Sequence, residues 1–325
     1  MKAFVLEYGE LKMKEMEEPV AGPHDVVVAL RTAGLNRRDL SIPKRVGNDK
    51  KALILGSDGA GVIEAIGEGV SRFQVGDEVI INPSLRWYDN SDAPPEGFDI
   101  LGMPDHGTFA EKIALSEEQV EKKPEHLSWE EAGVFTLAAL TGYRALFTKG
   151  QIKRGETLFI PGAGSGVATY LITFAKNVGA RVIVTSRSEE KRKQARELGA
   201  DLVLDTNSDW DEELKHETVD LVIDSVGEAT FNRSLGVLKK GGRIVIFGAT
   251  TDDNVDLDLR NFFYGQYQLI GTTMGSRQEL HAVLDHVNNF GMRPVVDRTY
   301  TLDHAQSAFD YLKEGKQFGK VAIRL

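Results

Sequence analysis

The feature that most constrains the fold is an alternation of short apolar runs with longer amphipathic segments in the second half of the chain. The runs TLFIP, RVIVT, DLVLD, VDLVID and RIVIFG are each followed by a segment with helical spacing of apolar residues. Continuous runs of Val, Ile and Leu between helices are typical of parallel strands that are buried on both faces. This part of the chain is therefore predicted to form a doubly wound parallel sheet of the Rossmann type.

The first of these strands runs into the glycine-rich turn PGAGSGVA, and a helix is predicted to begin at Val167. Such a turn directs unpaired N–H groups and the positive end of the helix dipole at one point, which suits a pyrophosphate. Gly164 and Gly166 allow close approach of a ligand to the backbone, and Ser165 keeps the turn small. The G-x-G-x-x-G pattern is not met in full, so the prediction of a dinucleotide site depends on the surrounding strand and helix.

The end of the next strand predicts which dinucleotide binds. An NAD site usually carries an acidic residue here, but this strand ends in Ser186, Arg187 and Ser188, with Lys191 one turn into the following helix. Hydroxyl groups and cations suit a 2′-phosphate, which arginine can bind in a bidentate manner. NADP(H) is therefore predicted. The alternative is that Arg187 and Lys191 are only the solvated start of a helix.

Two further strand ends supply residues that are predicted to contact the ribose or nicotinamide, because ligands of open α/β sheets lie beyond the carboxyl ends of the strands. These residues are Ser225, Val226, Phe247, Gly248 and Ala249.

With 325 residues the chain is long enough for two domains. Short β-rich runs fill the first hundred or so residues, and a short-strand pattern returns near the end, so one domain is expected to be discontinuous. The predicted division is 1–124 with 293–325 for the β-rich domain and 125–292 for the nucleotide-binding domain. Ser128 and Glu131 form a predicted capping box in front of a long apolar helix.

Composition excludes several classes of function. The net charge of −10 opposes binding to nucleic acid, because that affinity depends on basic residues that neutralise phosphates. The chain contains no cysteine, so disulfides, thiolate nucleophiles and sulfur-based zinc sites are excluded. No apolar run has the length of a membrane span and no signal-peptide pattern is present, so a cytoplasmic protein is expected.

Several segments resemble the medium-chain dehydrogenase/reductase superfamily, over essentially the whole length of the chain. They are QVGDEVI at 74–80, DHGTFAEKI at 105–113, LTGYRAL at 140–146 and the terminal FGKVAIRL. Within that superfamily the chain resembles the zinc-independent, quinone-oxidoreductase-like members. The resemblance implies an α/β protein with a GroES-like catalytic domain and a Rossmann domain, hydride transfer with NADP(H), and a homodimer or homotetramer.

The resemblance also has departures. Zinc-containing members carry a Cys where this chain has Asn36, and a His where it has Ser57. Asp105 and His106 form the nearest candidate pair for a different ligand set, but zinc sites need three or four converging ligands. No metal is therefore predicted, and catalysis is expected to use orientation and hydrogen-bond donors for a developing oxyanion.

The resemblance implies roles for further residues. Asn36 and Ser41 are the candidate catalytic hydrogen-bond donors, with Ser41 at the position of a family tyrosine. Arg37 corresponds to a pyrophosphate contact and Thr141 to a threonine near the nicotinamide ribose. Met274, Phe318 and Lys320 resemble late contacts to cofactor or substrate.

The predicted function is the metal-free, NADPH-dependent reduction of a quinone or an α,β-unsaturated carbonyl compound. Two alternatives remain at this stage. One is an alcohol dehydrogenase with unrecognised zinc ligands, and the other is a non-catalytic protein that binds NADP(H) as a sensor. The physiological substrate is not encoded in any motif of the sequence.

Overall fold

A computed structural model describes residues 1–47 and 49–325, and they form two compact units. One consists of Met1–Ala139 with Gly275–Leu325, and the other of Leu140–Met274. The first unit is discontinuous, and it includes residues 125–139 and 275–292, which the sequence-based division placed with the nucleotide-binding domain. Two hydrogen bonds hold these segments to the first unit. Arg277 Nε donates to Glu121, and the backbone N–H of Leu137 donates to Asp58 at 2.7 Å.

The N-terminal part of the first unit is built mainly of strands. Its strands are β1 Lys2–Glu7, β2 Glu10–Glu15, β3 Asp25–Leu35, β4 Leu53–Ile54, β5 Asp58–Ile66, β6 Glu78–Ile81, β7 Ser84–Leu85, β8 Asp99–Ile100, β9 Lys112–Ser116 and β10 Val120–Lys122. Its α-helices are α1 Ile42–Val46, α2 Trp129–Ala132 and the start of α3 Thr136–Tyr143, and two short 3₁₀ helices cover Arg37–Leu40 and Glu117–Gln119.

The second unit alternates strands and helices. After a π-helical stretch at Arg144–Lys149 come β11 Thr157–Ile160, α4 Gly166–Asn177, β12 Arg181–Ser186, α5 Glu189–Glu197, β13 Leu202–Asp205, α6 Trp210–Glu213, β14 Val219–Asp224, α7 Glu228–Val237, β15 Leu238–Ile246, α8 Leu259–Gly265 and β16 Gln268–Gly271. The six strands lie in the order β13-β12-β11-β14-β15-β16, and all neighbours are parallel. This is the 3-2-1-4-5-6 order of a dinucleotide-binding sheet, so the predicted fold class is confirmed.

The chain then returns to the first unit through α9 Arg277–Phe290, β17 Val296–Thr301, a 3₁₀ turn at Leu302–His304, α10 Ala305–Glu314 and β18 Lys320–Arg324. The main sheet has the order β10-β6-β5-β3-β18-β17, with β9 also on β3. Strand β3 pairs with both β5 and β18, so three distant parts of the sequence meet at its C-terminal end. The core against β3 and β18 is apolar and includes Phe4, Leu35, Phe109, Phe309 and Ile323.

The capping box at Ser128 and Glu131 is present, but the long helix expected after it is broken. Helix α2 ends at Ala132 with Gly133 as its C-cap, and α3 begins at Thr136. A side chain at Gly133 would come within 2.6 Å of Thr32, so the backbone there packs directly on β3. Tertiary packing therefore interrupts a segment whose local pattern favours one continuous helix.

Among the described residues, no helix combines the length and the apolar character required to cross a bilayer.

Candidate cofactor and active sites

The glycine turn of the second unit lies between β11 and α4, as the sequence predicts. The N–H of Ala163 donates to the carbonyl of Thr185 at 2.8 Å, which joins the turn to β12. Ser165 is the N-cap of α4, and its hydroxyl accepts from the N–H of Ala168 at 3.1 Å. Helix α4 begins at Gly166, one residue before the predicted start at Val167. The turn therefore has the strand-to-helix geometry that directs backbone N–H groups at an anion.

Lys191 lies across this turn. A Cβ placed on Gly164 would stand 3.0 Å from the Lys191 ammonium nitrogen and 2.9 Å from its Cδ. Because Gly164 has no side chain, the Lys191 side chain can pack directly against the backbone of the turn. A positive charge is held beside the phosphate-binding type of turn, and this contact joins the start of α5 to the start of α4.

The end of β12 is basic and hydroxyl-rich. Ser186 is buried, Arg187 is exposed, and Ser188 is the N-cap of α5, with its hydroxyl accepting from Lys191 N–H at 3.4 Å. Arg192, which the sequence analysis missed, donates to the carbonyl of Ser186 at 2.7 Å and to Asp205 at 2.8 Å. Arg192 lies four positions after the N-cap Ser188 and therefore on the same helix face, and that spacing is the signal that was available.

The other predicted contacts of the second unit gather at the carboxyl ends of β14 and β15. The carboxylate of Asp224 is buried and accepts from the N–H of Val226 at 2.7 Å and from the Thr230 hydroxyl at 2.8 Å. Burial is the main cause that raises the pKa of Asp224. Its bonds fix the loop that carries Ser225 and Val226. Phe247, Gly248 and Ala249 follow β15 at the same edge of the sheet and are half-buried.

Thr141 and Met274 contact each other. The hydroxyl of Thr141 donates to the sulfur of Met274 at 3.7 Å, and both side chains are buried. Met274 has a φ of 36°, a left-handed value that is rare for a residue with a side chain. The remaining predicted contacts, Phe318 and Lys320, lie in the first unit.

In the first unit, strand pairing brings together Asn36, Asp58 and Lys320. Asn36 directly follows β3. Asp58 is the first residue of β5 and pairs with Gly34 of β3. Lys320 is the first residue of β18, and its neighbour Val321 pairs with Leu35 of β3. All three side chains are buried, with exposed fractions of 7%, 0% and 4%. We call these three residues the Asp58 cluster.

The side-chain polar atoms of Asn36, Asp58 and Lys320 all take part in hydrogen bonds. The Lys320 ammonium donates to Asp58 Oδ2 at 2.9 Å and to Asn36 Oδ1 at 2.5 Å. The amide of Asn36 donates to Asp58 Oδ2 at 3.0 Å and to the carbonyl of Gly34 at 3.4 Å. The other carboxylate oxygen, Oδ1, accepts from the Thr136 hydroxyl at 2.9 Å and the Leu137 N–H at 2.7 Å. The carboxylate therefore has four donors, which offset the cost of burying its charge.

A second charged pair lies beside the cluster. Arg38 donates to the Ser57 hydroxyl at 2.7 Å and to the carbonyl of Leu101 at 2.9 Å, and burial lowers the pKa of its guanidinium. Asp39 is fully buried and accepts from the Asn36 N–H at 2.8 Å. Ser41 and Arg37 are exposed, and the Ser41 hydroxyl donates to the carbonyl of Arg38 at 2.7 Å.

Burial raises the pKa of Asp39 from 3.8 to about 6, and the nearby Arg38 charge partly opposes that rise. Because the folded pKa is above the unfolded one, the stability that Asp39 provides is full below about pH 4 and is lost as pH rises through about 6. We expect the free energy of unfolding of Asp39→Asn, relative to wild type, to increase by about 3 kcal/mol between pH 4 and pH 8. Urea unfolding across that range measures it.

The control for this pH dependence is Ser41→Ala, which changes the same segment without a titrating group and should differ from wild type by a constant amount. A difference between Asp39→Asn and wild type that stays flat from pH 4 to pH 8 contradicts the prediction.

The residues of this unit do not fit a zinc ion. Within 1–47 and 49–325, no group of three His, Asp or Glu side chains is arranged to hold a metal. His106 Nδ1 accepts from the Ile54 N–H at 3.1 Å, and Asp105 pairs with Arg86. Burial lowers the pKa of His106. The oxygens of Asn36 and Asp58 already accept bonds from an ammonium group.

Comparison with known proteins agrees with this architecture. Residues 22–125 match the family model described as alcohol dehydrogenase GroES-like domain, and residues 166–289 match that of zinc-binding dehydrogenase. The chain is 32% identical to a zinc-type alcohol dehydrogenase-like protein of Leptosphaeria maculans, covering 98% of this chain and 95% of the relative. It is 31% identical to a crotonyl-CoA carboxylase/reductase of Cereibacter sphaeroides, covering 84% and 73%.

Solved structures give the same result. The crystal structure of an NAD-dependent alcohol dehydrogenase has a TM-score of 0.91 at 33% identity and covers 100% of both chains. A 2-octenoyl-CoA carboxylase reductase, solved with NADP and 2-octenoyl-CoA, has a TM-score of 0.88 at 25% identity and covers 99% of this chain and 87% of its own.

Together, the GroES-like unit and the parallel sheet define an oxidoreductase of the dehydrogenase/reductase class. The chain belongs to the medium-chain dehydrogenase/reductase superfamily.

Proposed function

We propose that this protein is an NADPH-dependent reductase of α,β-unsaturated carbonyl compounds, including enoyl thioesters and quinones, and that it works without a metal ion. The observation that carries the proposal is the end of β12, where Ser186 and Arg187 stand in the place of the usual acidic residue and Lys191 follows one turn into α5. Arg192 is already paired with Asp205, so Arg187 and Lys191 are the cations proposed to meet the phosphate. Such a cationic set suits the 2′-phosphate of NADPH and leaves the ribose of NADH without its usual carboxylate.

The similarity to proteins named as a crotonyl-CoA carboxylase/reductase and a 2-octenoyl-CoA carboxylase reductase supports the substrate class. NADPH held at this site would supply the hydride for the carbon β to the carbonyl, and water would supply the proton for the α carbon. The chain itself binds the cofactor phosphates at Gly164–Gly166 and stabilises the oxyanion of the enolate by hydrogen bonding. Reduction of a conjugated double bond depends less on a Lewis acid than alcohol oxidation does, so the lack of a zinc ligand set among the described residues fits this reaction better.

Both predicted donors already donate their protons within the protein, so each would have to exchange one of these bonds for a bond to the substrate oxyanion. Both amide protons of Asn36 are donated to Asp58 and Gly34, and the hydroxyl proton of Ser41 is donated to the Arg38 carbonyl. We retain Asn36 and Ser41 as proposed catalytic residues, and Arg37, Thr141, Met274 and Phe318 as proposed contacts to cofactor or substrate. Ser225, Val226, Phe247, Gly248 and Ala249 are proposed to line the ribose and nicotinamide.

The test is a steady-state assay of NADPH and NADH oxidation against enones, enoyl-CoA thioesters, quinones and aldehydes, with and without exhaustive chelation. We expect oxidation of NADPH with an enone or quinone acceptor that survives chelation. Loss of activity with the chelator, together with oxidation of simple alcohols, would support an alcohol dehydrogenase with zinc. Tight NADPH binding without any turnover would support a non-catalytic sensor.

We further propose that the protein acts in the cytoplasm on small molecules as a homo-oligomer. In the part of the chain that the structure describes, the end strand β16 of the parallel sheet pairs only with β15, and its residue Leu269 is 46% exposed. Helix α8 beside it exposes Leu259, Phe263 and Tyr264 to 68%, 52% and 68%. An unpaired strand edge next to exposed apolar side chains favours pairing with a second copy of the chain.

We expect Leu269→Lys to convert the oligomer to monomer, because a charge on the strand edge opposes edge-to-edge pairing. Sedimentation velocity measures this change. The matched control is Val20→Lys, which places the same charge at an apolar residue that is 85% exposed in the other unit. Unchanged sedimentation of Leu269→Lys would contradict the proposed interface.

A further inference from the structure

The charged side chains in and beside the Asp58 cluster are two cations, Lys320 and Arg38, and two carboxylates, Asp58 and Asp39. Lys320 faces Asp58 at 2.9 Å, and Arg38 and Asp39 are consecutive residues on the same turn. Lys320 and Asp58 have side chains that are 4% and 0% exposed, so neither charge is compensated by solvent. A buried pair of this kind is stable only when both partners and their hydrogen bonds are present.

The side-chain oxygens of Asn36, Asp58 and Ser57 already accept hydrogen bonds, whereas Asp39 Oδ1 beside them has no partner among the described residues. Lys320 bonds to the amide oxygen of Asn36, and Arg38 bonds to the hydroxyl oxygen of Ser57. The carboxylate of Asp58 accepts four hydrogen bonds. A divalent ion bound here would have to displace a buried ammonium group and would add two positive charges to a site whose own charges already balance.

The same contacts fix the orientation of Asn36. Its oxygen is held by Lys320, while its amide protons are held by Asp58 and the Gly34 carbonyl. If the ammonium is removed, the amide oxygen loses its donor, and only the bonds from the amide nitrogen to Asp58 and Gly34 still hold the side chain. Lys320 thus acts on the position of Asn36, although the sequence resemblance implies a contact to the cofactor or substrate.

We propose that the Lys320 ammonium is the fixed positive charge of this site in place of a metal ion, and that it is a positioning residue for Asn36. The kinetic part of this inference rests on the proposed reductase function. The structural part concerns the pairing of Lys320 with Asp58 and the exclusion of zinc, and it can be tested whether or not the reaction is identified correctly.

The pairing is tested by a double-mutant cycle with Lys320→Met, Asp58→Asn and the combined variant. Lys320→Met keeps the length of the side chain and leaves Asp58 buried without a counter-charge, so Tm should fall by about 6 °C or more. The combined variant carries no uncompensated charge and should recover part of that loss. Effects of the two substitutions that simply add would overturn the proposal.

If Lys320→Met does not fold, the combined variant decides the question. Recovery of soluble protein on adding Asp58→Asn supports the pairing, and continued insolubility overturns it.

The exclusion of zinc is tested by dialysing the wild-type protein against Zn²⁺ and measuring bound metal. We expect either less than one equivalent, or zinc whose binding is unchanged in Asn36→Ala and therefore lies elsewhere. One full equivalent that is lost in Asn36→Ala would overturn the proposal.

The positioning role is tested by the separate effects of Lys320→Met on cofactor binding and turnover. We expect kcat to fall at least about tenfold while the Kd for NADPH, from fluorescence titration, changes less than about threefold. Lys320→Arg, which keeps the charge, should restore most of kcat. A raised Kd with unchanged kcat would show a cofactor contact and overturn the positioning role. If none of the tested acceptors supports NADPH oxidation by the wild type, the proposed function fails. The double-mutant cycle and the zinc measurement then still decide the structural part of the inference.

Discussion

Replacing Arg187 and Lys191 together by alanine is expected to weaken NADPH binding about 100-fold, because each hydrogen bond to a charged group contributes about 1.5 kcal/mol. Arg187 is exposed at the end of β12, and the Lys191 side chain lies across Gly164. Both cations can meet a phosphate without breaking the strand or the start of α5. Fluorescence titration with NADPH measures the change in Kd.

The comparison that makes this result specific is the affinity for NADH, which lacks the 2′-phosphate and should change only a few-fold. Lys193→Ala is the control on the same helix, since its side chain is 66% exposed and it removes one positive charge against the two of the double variant. Equal losses for both dinucleotides would show that the pair contacts the pyrophosphate. Unchanged NADPH binding would mean that these residues are only a solvated helix start.

Removing the buried carboxylate by Asp58→Ala is expected to lower the free energy of unfolding by about 3 to 5 kcal/mol. The change leaves the Lys320 ammonium buried without its partner, and it also removes the acceptor for the Thr136 hydroxyl and the Leu137 N–H. Urea unfolding followed by circular dichroism measures the loss. Any reductase activity should fall with it, because Asn36 loses a contact on its amide group.

Asp105→Ala is the control for this measurement. Asp105 is a carboxylate of the same unit whose side chain is 52% exposed in its pair with Arg86, and such pairs contribute about 1 kcal/mol or less. If Asp58→Ala were no more destabilising than Asp105→Ala, the buried cluster would not have the structural role that its hydrogen bonds imply.

The second unit could be predicted from the sequence because its signal is local. Each buried parallel strand is a continuous apolar run, and the turn with Gly164 and Gly166 lies directly between a strand and a helix. Helical capping is local too, which is why the capping box at Ser128 was predicted correctly. The break at Gly133 was missed, since it depends on contact with Thr32 about a hundred positions earlier in the chain.

The Asp58 cluster could not be predicted, because it depends on the register of β3 with two distant strands. The hydrogen bond between Lys320 and Asn36 joins residues separated by 284 positions. No sequence pattern around Asn36 or Lys320 indicates that the two residues lie close together. The sequence resemblance placed Lys320 at a cofactor or substrate contact, whereas the structure places its ammonium on Asn36 and Asp58.

The position of β18 in the chain has a consequence for how the protein is made. Asp58 emerges from the ribosome early, whereas Lys320 is synthesised only after the entire second unit. During translation the aspartate therefore remains without its counter-ion, and the main sheet lacks both β18 and β17. The parallel sheet can fold on its own meanwhile, since domains generally fold as units during synthesis. The GroES-like unit, although it begins first, is the one that is completed last.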